Sequence, residues 1–284
     1  MREENLERIS SRQNPLVKEI CGLTEKKNRD RSGLFRFDGI KLLKEALLSS
    51  VEIEVICIME SAKARILDML AEYDFPPHCR VRILEDGVFL KISEEKSPEG
   101  VICVAKALDK NHKMTTINNI PIFLGELRAK DGREPRLLIL SSLRDPGNVG
   151  TILRTAAAFG IDGVILSRDS ADVYLPRTLR AAMGAIFRVP TLRVDGEMHE
   201  AIAVLRDCGR RVYATALDDT AAELGSFPLL PGDCFVIGNE GHGLDASVIT
   251  AATQSVYIPM APGSESLNAA MAATVCMWEL KKLP

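Results

Sequence analysis

Missing from this 284-residue chain is any apolar run near the roughly 18 residues that a membrane-spanning helix needs. Its first residues, MREENLERISSRQNP, are charged and lack the apolar centre of a secretion signal. These absences predict a soluble, cytoplasmic protein with no membrane partner. Clustered cysteine is missing too. The 7 cysteines, at 21, 57, 79, 103, 208, 234 and 276, are far apart, odd in number and without a CxxC pair. That pattern excludes a zinc ribbon and a disulfide framework, and most of the seven read as small buried hydrophobes. The 4 histidines add no ligand spacing, so no metal site is expected. Two phosphate-binding fingerprints are absent as well: there is no GxxxxGK[ST], and the glycine loop at 238–243 fails the GxGxxG spacing. A nucleotide- or dinucleotide-dependent enzyme on an ordinary doubly wound sheet therefore loses its support.

What is present is a globular mixture, 46% hydrophobic and 26% charged, long enough for one large or two ordinary domains. The net charge of −3 does not advertise nucleic acid, but its distribution says more. Between Arg8 and Arg36, 8 Lys/Arg stand against Glu19, Glu25 and Asp30. Such a surplus can face a phosphate backbone. A solvated helical face is the blander reading, and this feature alone slightly favours it.

Periodicity divides the chain into an α/β unit over 1–106, an irregular connection over 107–135 and a larger α/β unit over 136–284. In the first unit, LFRFDG and VEIEVICIM read as strands, while IKLLKEALLSS and SAKARILDMLAEY read as helices. The stretch LDKNHKMTTINNIPIFLGELRAKDGREP is polar, with charge clusters and two prolines. From Arg136 onward strands, polar loops and helices alternate, which predicts a mostly parallel sheet covered by helices on both faces. Ligands of such sheets collect beyond the carboxyl ends of the strands.

Three strand ends carry chemistry-bearing residues. In Asp145-Pro-Gly-Asn-Val-Gly-Thr-Ile-Leu-Arg154, Asn148 and Thr151 compete to cap the following helix. Arg154 is expected about one turn in, converging with Asn148 at the helix entrance. Gly160 ends that helix. In Gly238-Asn-Glu240-Gly-His-Gly-Leu, the glycines let backbone approach a flat ligand, and Glu240 is either a loop charge or a site carboxylate. In Ile258-Pro-Met260-Ala-Pro-Gly-Ser264-Glu-Ser266-Leu-Asn268, Ser266 is the expected cap of a final helix from Leu267 to about Lys282. Asn268 is expected to face the same pocket. The last helix offers small residues for close packing in a core or at a subunit interface.

Taken in order, Asn148-x5-Arg154, Gly238-Asn-Glu-Gly-x-Gly-Leu and Ile258-Pro-Met…Ser266-Leu-Asn268 resemble the three signature motifs of the SpoU/TrmH RNA 2′-O-methyltransferases. The segment 175–190, LPRTLRAAMGAIFRVP, whose part 175–187 reads as a helix, resembles the stretch between the first two motifs, and the likeness spans about 136–284. Two departures are small-for-small: Ala269-Ala270 follow Ser266-Leu-Asn268 where the family often has Val-Ser, and Ala182 stands where many relatives have serine. The resemblance implies a C-terminal trefoil knot, homodimers and S-adenosylmethionine as methyl donor. It assigns Thr215, Ala216, Gly238, Ile258, Met260 and Leu267 to the cofactor and Asn148, Arg154, Glu240, Ser266 and Asn268 to catalysis. The first unit is similar to the RNA substrate-binding domain of rRNA-modifying members, which favours rRNA over tRNA. The competing expectations are the same activity on tRNA and a non-catalytic RNA-binding or ribosome-assembly factor.

Overall fold

The computed structural model describes residues 6–74, 78–108, 115–263 and 266–283. In chain order the first part contains β1 (Glu7–Ile9), α1 (Pro15–Gly22), α2 (Lys26–Ser32), β2 (Leu34–Asp38), α3 (Ile40–Leu48), β3 (Ile53–Met59), α4 (Lys63–Leu70), β4 (Arg80–Leu84), α5 (Asp86–Ile92) and β5 (Val101–Lys106). Its five strands lie in the order β1-β4-β3-β5-β2, with β5 antiparallel to both neighbours.

The second part contains β6 (Thr115–Thr116), α6 (Ile120–Asp131), β7 (Leu137–Leu140), α7 (Pro146–Phe159), β8 (Gly163–Leu166), α8 (Pro176–Ala182), β9 (Thr191–Asp195) and α9 (Met198–Asp207). It continues with β10 (Val212–Thr215), β11 (Ala222–Glu223), β12 (Cys234–Ile237), α10 (Ala246–Ala251), β13 (Gln254–Tyr257) and α11 (Ala269–Lys281). Eight strands form one sheet, β11-β13-β10-β12-β7-β8-β9-β6, and every pairing in it is parallel. Parallel strands need both faces covered, and β7 shows how the sequence meets that need. Leu137 and Ile139 enter the core under α6, α9 and α10, while Leu138 and Leu140 enter the one under α7, α8 and α11. The chain runs outward from β7 through β8 to β9, then crosses to build β10, β12 and β13 on the other side. That reversal at β7 and β12 is where an open α/β sheet leaves a crevice.

The first unit is welded to the second. Phe35 and Phe37 of β2 share a core with Leu153, Leu179 and Ile186, and the Phe35 ring lies 4.4 Å from Tyr174. Arg29, buried in α2, binds the Asp172 carboxylate at 2.8 Å and the carbonyls of Leu23 and Thr24. Arg36 is buried against Asp38. Two of the eight cations between Arg8 and Arg36 are therefore spent inside the fold. Arg8 and Lys26 are also paired, to Glu60 and Asp30, so the local surplus does not form one open basic face.

Two sequence expectations need correcting. The stretch 107–135 is not irregular throughout: β6 extends the large sheet beside β9, and α6 covers it with Ile120, Phe123, Leu124 and Leu127. Its Pro121 stands in the first turn of α6, where a missing N–H costs nothing. Residues 109–114 lie outside the described ones. The helix expected around 175–187 breaks after Ala182, because Met183 and Gly184 both have positive φ, 52° and 88°. Gly184 is needed there for space too, since a Cβ would fall 2.6 Å from the Glu45 side chain. The chain then closes with a single 3₁₀ turn, Ala185–Phe187.

Candidate active site

A cavity of about 520 Å³ opens at the carboxyl ends of β10, β12 and β13. All six residues expected to hold a cofactor line it: Thr215, Ala216, Gly238, Ile258, Met260 and Leu267. Glu240 and Ser266, from the expected catalytic set, line it too. Three large apolar side chains of this lining stay exposed to water, Leu217 at 79%, Met260 at 38% and Leu267 at 41%. Exposed apolar groups gathered around one concavity call for an occupant that covers them.

The loop after β12 is shaped by its own side chains. Asn239 accepts the N–H groups of Gly241 and His242 at 2.9 and 3.2 Å and donates to the Ser142 carbonyl at 2.8 Å. Its backbone pairs twice with Gly243, closing a tight ring. Gly238 lies against that ring, and a Cβ there would stand 2.5 Å from the Gly243 carbonyl carbon. Asn239 was not among the expected site residues. An asparagine between glycines at a strand end is the signal that reveals it.

At the rim, three expected residues form a chain of hydrogen bonds. Asn148 donates to Glu240 Oε1 at 3.0 Å, and Asn268 donates to Asn148 Oδ1 at 3.1 Å. The backbone N–H groups of Asp145 and Arg144 also reach the Glu240 carboxylate, at 3.2 and 3.4 Å. Burial raises the Glu240 pKa, but these donors, Asn148 first, outweigh it and hold the carboxyl below its ordinary value. Glu240 is therefore a fixed anion that orients Asn148. Its folded pKa lies below the unfolded one, so its stabilisation is full above the ordinary carboxylate range and lost as pH falls through the lowered value. Glu240→Gln is expected to lower the melting temperature at neutral pH, with the gap to wild type closing as pH falls below the lowered Glu240 pKa. Thermal scans across pH check this, and a gap that persists in acid would contradict it.

Three local expectations change. Asp145, not Asn148 or Thr151, caps α7: its Oδ1 accepts the Asn148 N–H at 2.8 Å. Asn268, not Ser266, caps α11 through Ala270 and Met271, and the helix starts at Ala269. Ser264 and Glu265 lie outside the described residues. Arg154 does not converge with Asn148. Six residues turn a helix by about 600°, which is about 240° beyond one full turn, and climb about 9 Å, which carries the two side chains to different faces. Arg154 instead lies exposed in a groove with Lys41, Glu45 and Arg188.

Residues 135–278 match the SpoU rRNA methylase family, and residues 14–103 match the MRM3-like substrate binding domain. The chain is 28% identical over 276 residues to the 23S rRNA (guanosine(2553)-2′-O)-methyltransferase RlmP of Bacillus subtilis, covering 97% of this chain and 100% of that protein. Among solved structures, a putative RNA methyltransferase of the TrmH family from Porphyromonas gingivalis superposes with a TM-score of 0.76 at 30% identity, covering 94% of this chain and 96% of that one. An AdoMet-bound rRNA methyltransferase from Sinorhizobium meliloti gives a TM-score of 0.78 at 26% identity, with 98% of both chains covered. The fold and the cavity thus define a methyltransferase of the parallel-sheet α/β type. The chain belongs to the SpoU rRNA methylase family and is an RNA methyltransferase that uses S-adenosylmethionine. The cavity suits that donor, with glycine backbone on one side for a flat base and exposed Leu217, Met260 and Leu267 to cover.

Proposed function

We propose that the chain methylates a ribose 2′-hydroxyl of ribosomal RNA in the cytoplasm, working as a homodimer whose C-terminal strands and last helix are threaded into a trefoil knot. The observation that carries the reading is the hydrogen-bonded Glu240–Asn148–Asn268 chain set at the rim of the cofactor cavity. Residues 1–106 act as the RNA-binding unit and 136–284 as the catalytic unit. Within 107–135, β6 and α6 go with the catalytic sheet. The match to a substrate-binding domain and the likeness to an enzyme of 23S rRNA favour rRNA over tRNA. Family membership and the out-of-order insertion of β12 beside β7 support the knot.

S-adenosylmethionine supplies a methyl group already activated by a positive sulfur, so the protein's tasks are alignment and help in removing the hydroxyl proton. Thr215, Ala216, Gly238, Ile258, Met260 and Leu267 hold the donor. Asn148, locked by Glu240 and Asn268, orients the ribose, and Ser266 offers a hydroxyl at the same rim. The Arg154 guanidinium serves as a clamp on substrate phosphate and the developing alkoxide. Because it lies outside the cavity of its own chain, it reaches a methyl donor only when two copies meet.

α11 offers the surface for that meeting. Met271 and Trp278 are 50% and 49% exposed on it, seven residues apart, and Trp278 packs on Phe159 at the end of α7. Leu267, just before α11, carries the apolar face to the cavity mouth. Sedimentation of the purified protein is expected to show a dimer that Trp278→Glu converts to monomer with loss of turnover. A wild type that is monomeric and active would overturn this arrangement. The substrate assignment is tested by labelled methyl transfer to rRNA and tRNA from cells lacking the gene. Label in rRNA ribose is expected, and label in tRNA alone would overturn the choice.

A further inference from the structure

Where the two units meet, a second cavity of about 370 Å³ opens between the start of α3, the 93–101 segment and α8. Leu42, Pro98, Val101 and Met183 give it apolar walls. Its polar groups are unlike those of a backbone-binding surface, because the carboxylates of Asp38, Glu95 and Glu99 line it beside Arg180. Glu95 pairs with Arg180 at 2.8 Å, and Glu99 accepts the Ile40 N–H at 2.7 Å. A phosphate entering here would meet three carboxylates.

Behind the cavity lies a buried ion pair. Arg36, 3% exposed, gives both of its contacts with Asp38 from one nitrogen, at 3.1 Å each. Its buried Nε–H has no hydrogen-bond partner among the described residues. Arg36 lines a void of about 10 Å³ that continues the cavity inward and shares Asp38, Leu42 and Arg180 with it. Burial also raises the Asp38 carboxyl above its ordinary pKa, against the pull of Arg36.

Immediately beside this cavity lies the groove of about 260 Å³ that contains Arg154. Lys41 and Met183 line both. Arg188 is neutralised there by Glu45, while Lys41 and Arg154 have no ion-pair partner among the described residues. A cationic groove opening onto an acid-lined slot has the polarity of one nucleotide, phosphate outside and base within.

We propose that these two cavities bind a single guanine nucleotide of the substrate RNA, with its phosphate between Lys41 and Arg154 and its base inserted between the Asp38 and Glu95 carboxylates and Arg180. This rests on the reading of the chain as an RNA methyltransferase. Guanine is the base that fits. Its Watson–Crick edge places two N–H donor groups, N1 and N2, beside one acceptor, O6. Carboxylates accept the donors and a guanidinium gives to O6. Adenine lacks the N1 proton, and cytosine and uracil set a single donor group next to acceptors that the carboxylates repel. Bases of this kind are read when they are splayed out of the RNA.

The test uses the full chain and five probes, the 5′-monophosphates of guanosine, inosine, adenosine, cytidine and uridine, titrated by calorimetry or NMR. Guanosine monophosphate is expected to bind about 5-fold or more tightly than the other four, including inosine monophosphate, which lacks only the exocyclic amine. Glu95→Gln and Asp38→Asn are each expected to erase most of that preference. Asp38→Asn leaves Arg36 buried without its counter-charge and is kept only if it unfolds near the wild-type temperature. Glu95→Gln alters a part-exposed ion pair, so it decides the matter if the other variant does not fold. Equal binding of all five nucleotides, or a preference that survives Glu95→Gln, overturns the guanine slot. S-adenosylmethionine affinity in the same samples separates the two readings, since its absence in wild type would overturn the methyltransferase assignment instead.

Discussion

Arg154→Ala is expected to lower turnover by about 10²- to 10³-fold while leaving S-adenosylmethionine affinity within about 2-fold of wild type. The split follows from placement. Arg154 does not line the cavity proposed for the cofactor and lies in the groove with Lys41, Glu45 and Arg188, so its loss leaves the residues proposed to hold the donor untouched. Its side chain is exposed and Ala157 and Ala158 are its neighbours in that groove, so truncation removes a charge and little packing. A stability change on the scale of a surface substitution, within about 0.5 kcal/mol, is expected. Arg154→Lys keeps the charge but loses the planar fork that can hold a phosphate oxygen and an alkoxide together, so it too is expected to be slow. Single-turnover kinetics with separate titration of S-adenosylmethionine check the split. Near-normal turnover in Arg154→Lys would show that a point charge suffices.

Gly238→Ala is expected to act on the opposite quantity, weakening S-adenosylmethionine binding by about 10-fold or more and lowering the melting temperature. The added methyl would lie 2.5 Å from the Gly243 carbonyl carbon and 2.7 Å from both the Gly243 oxygen and the Leu244 nitrogen. All three are backbone atoms, so no side chain can rotate away. The Asn239–Gly243 ring must open, at a cost of about 1–3 kcal/mol typical of overpacking. That ring also places Glu240, so the Asn148–Asn268 chain is expected to loosen with it. Calorimetry and a thermal scan report both effects, and unchanged donor affinity would remove the β12 loop from the cofactor site.

Much of this architecture was legible because the large sheet is buried on both faces. Runs such as LLIL, GVIL and CFVI are apolar throughout and are bounded by polar loops, a pattern a parallel strand satisfies. Gly160 ended α7 as expected, with φ of 69°. The six residues expected at a cofactor meet in one cavity for a related reason, since its lining comes from loops at strand ends whose motifs are contiguous in sequence. Four of the seven cysteines are buried, as their apolar surroundings implied, and Cys208 is exposed.

What escaped was set by tertiary geometry. α6 shows its stripe of Ile120, Phe123, Leu124 and Leu127, but Pro121 and the polar stretch around it masked the helical period. β6 is two threonines long and exists because β9 offers an edge, which no local pattern announces. The cations of α2 and β2 looked like a surface patch, and only the packing of Asp172 and Asp38 against Arg29 and Arg36 shows that two of them are structural. Asn148 and Arg154 are close in sequence, but the 100° step per residue along α7 separates them.

The most direct test of the account is a map of ribose methylation in rRNA from cells with and without this gene, followed by complementation. Loss of one 2′-O-methyl at a single rRNA position is expected, restored by the wild-type protein and not by Arg154→Ala. An unchanged rRNA map, or full restoration by Arg154→Ala, would contradict it.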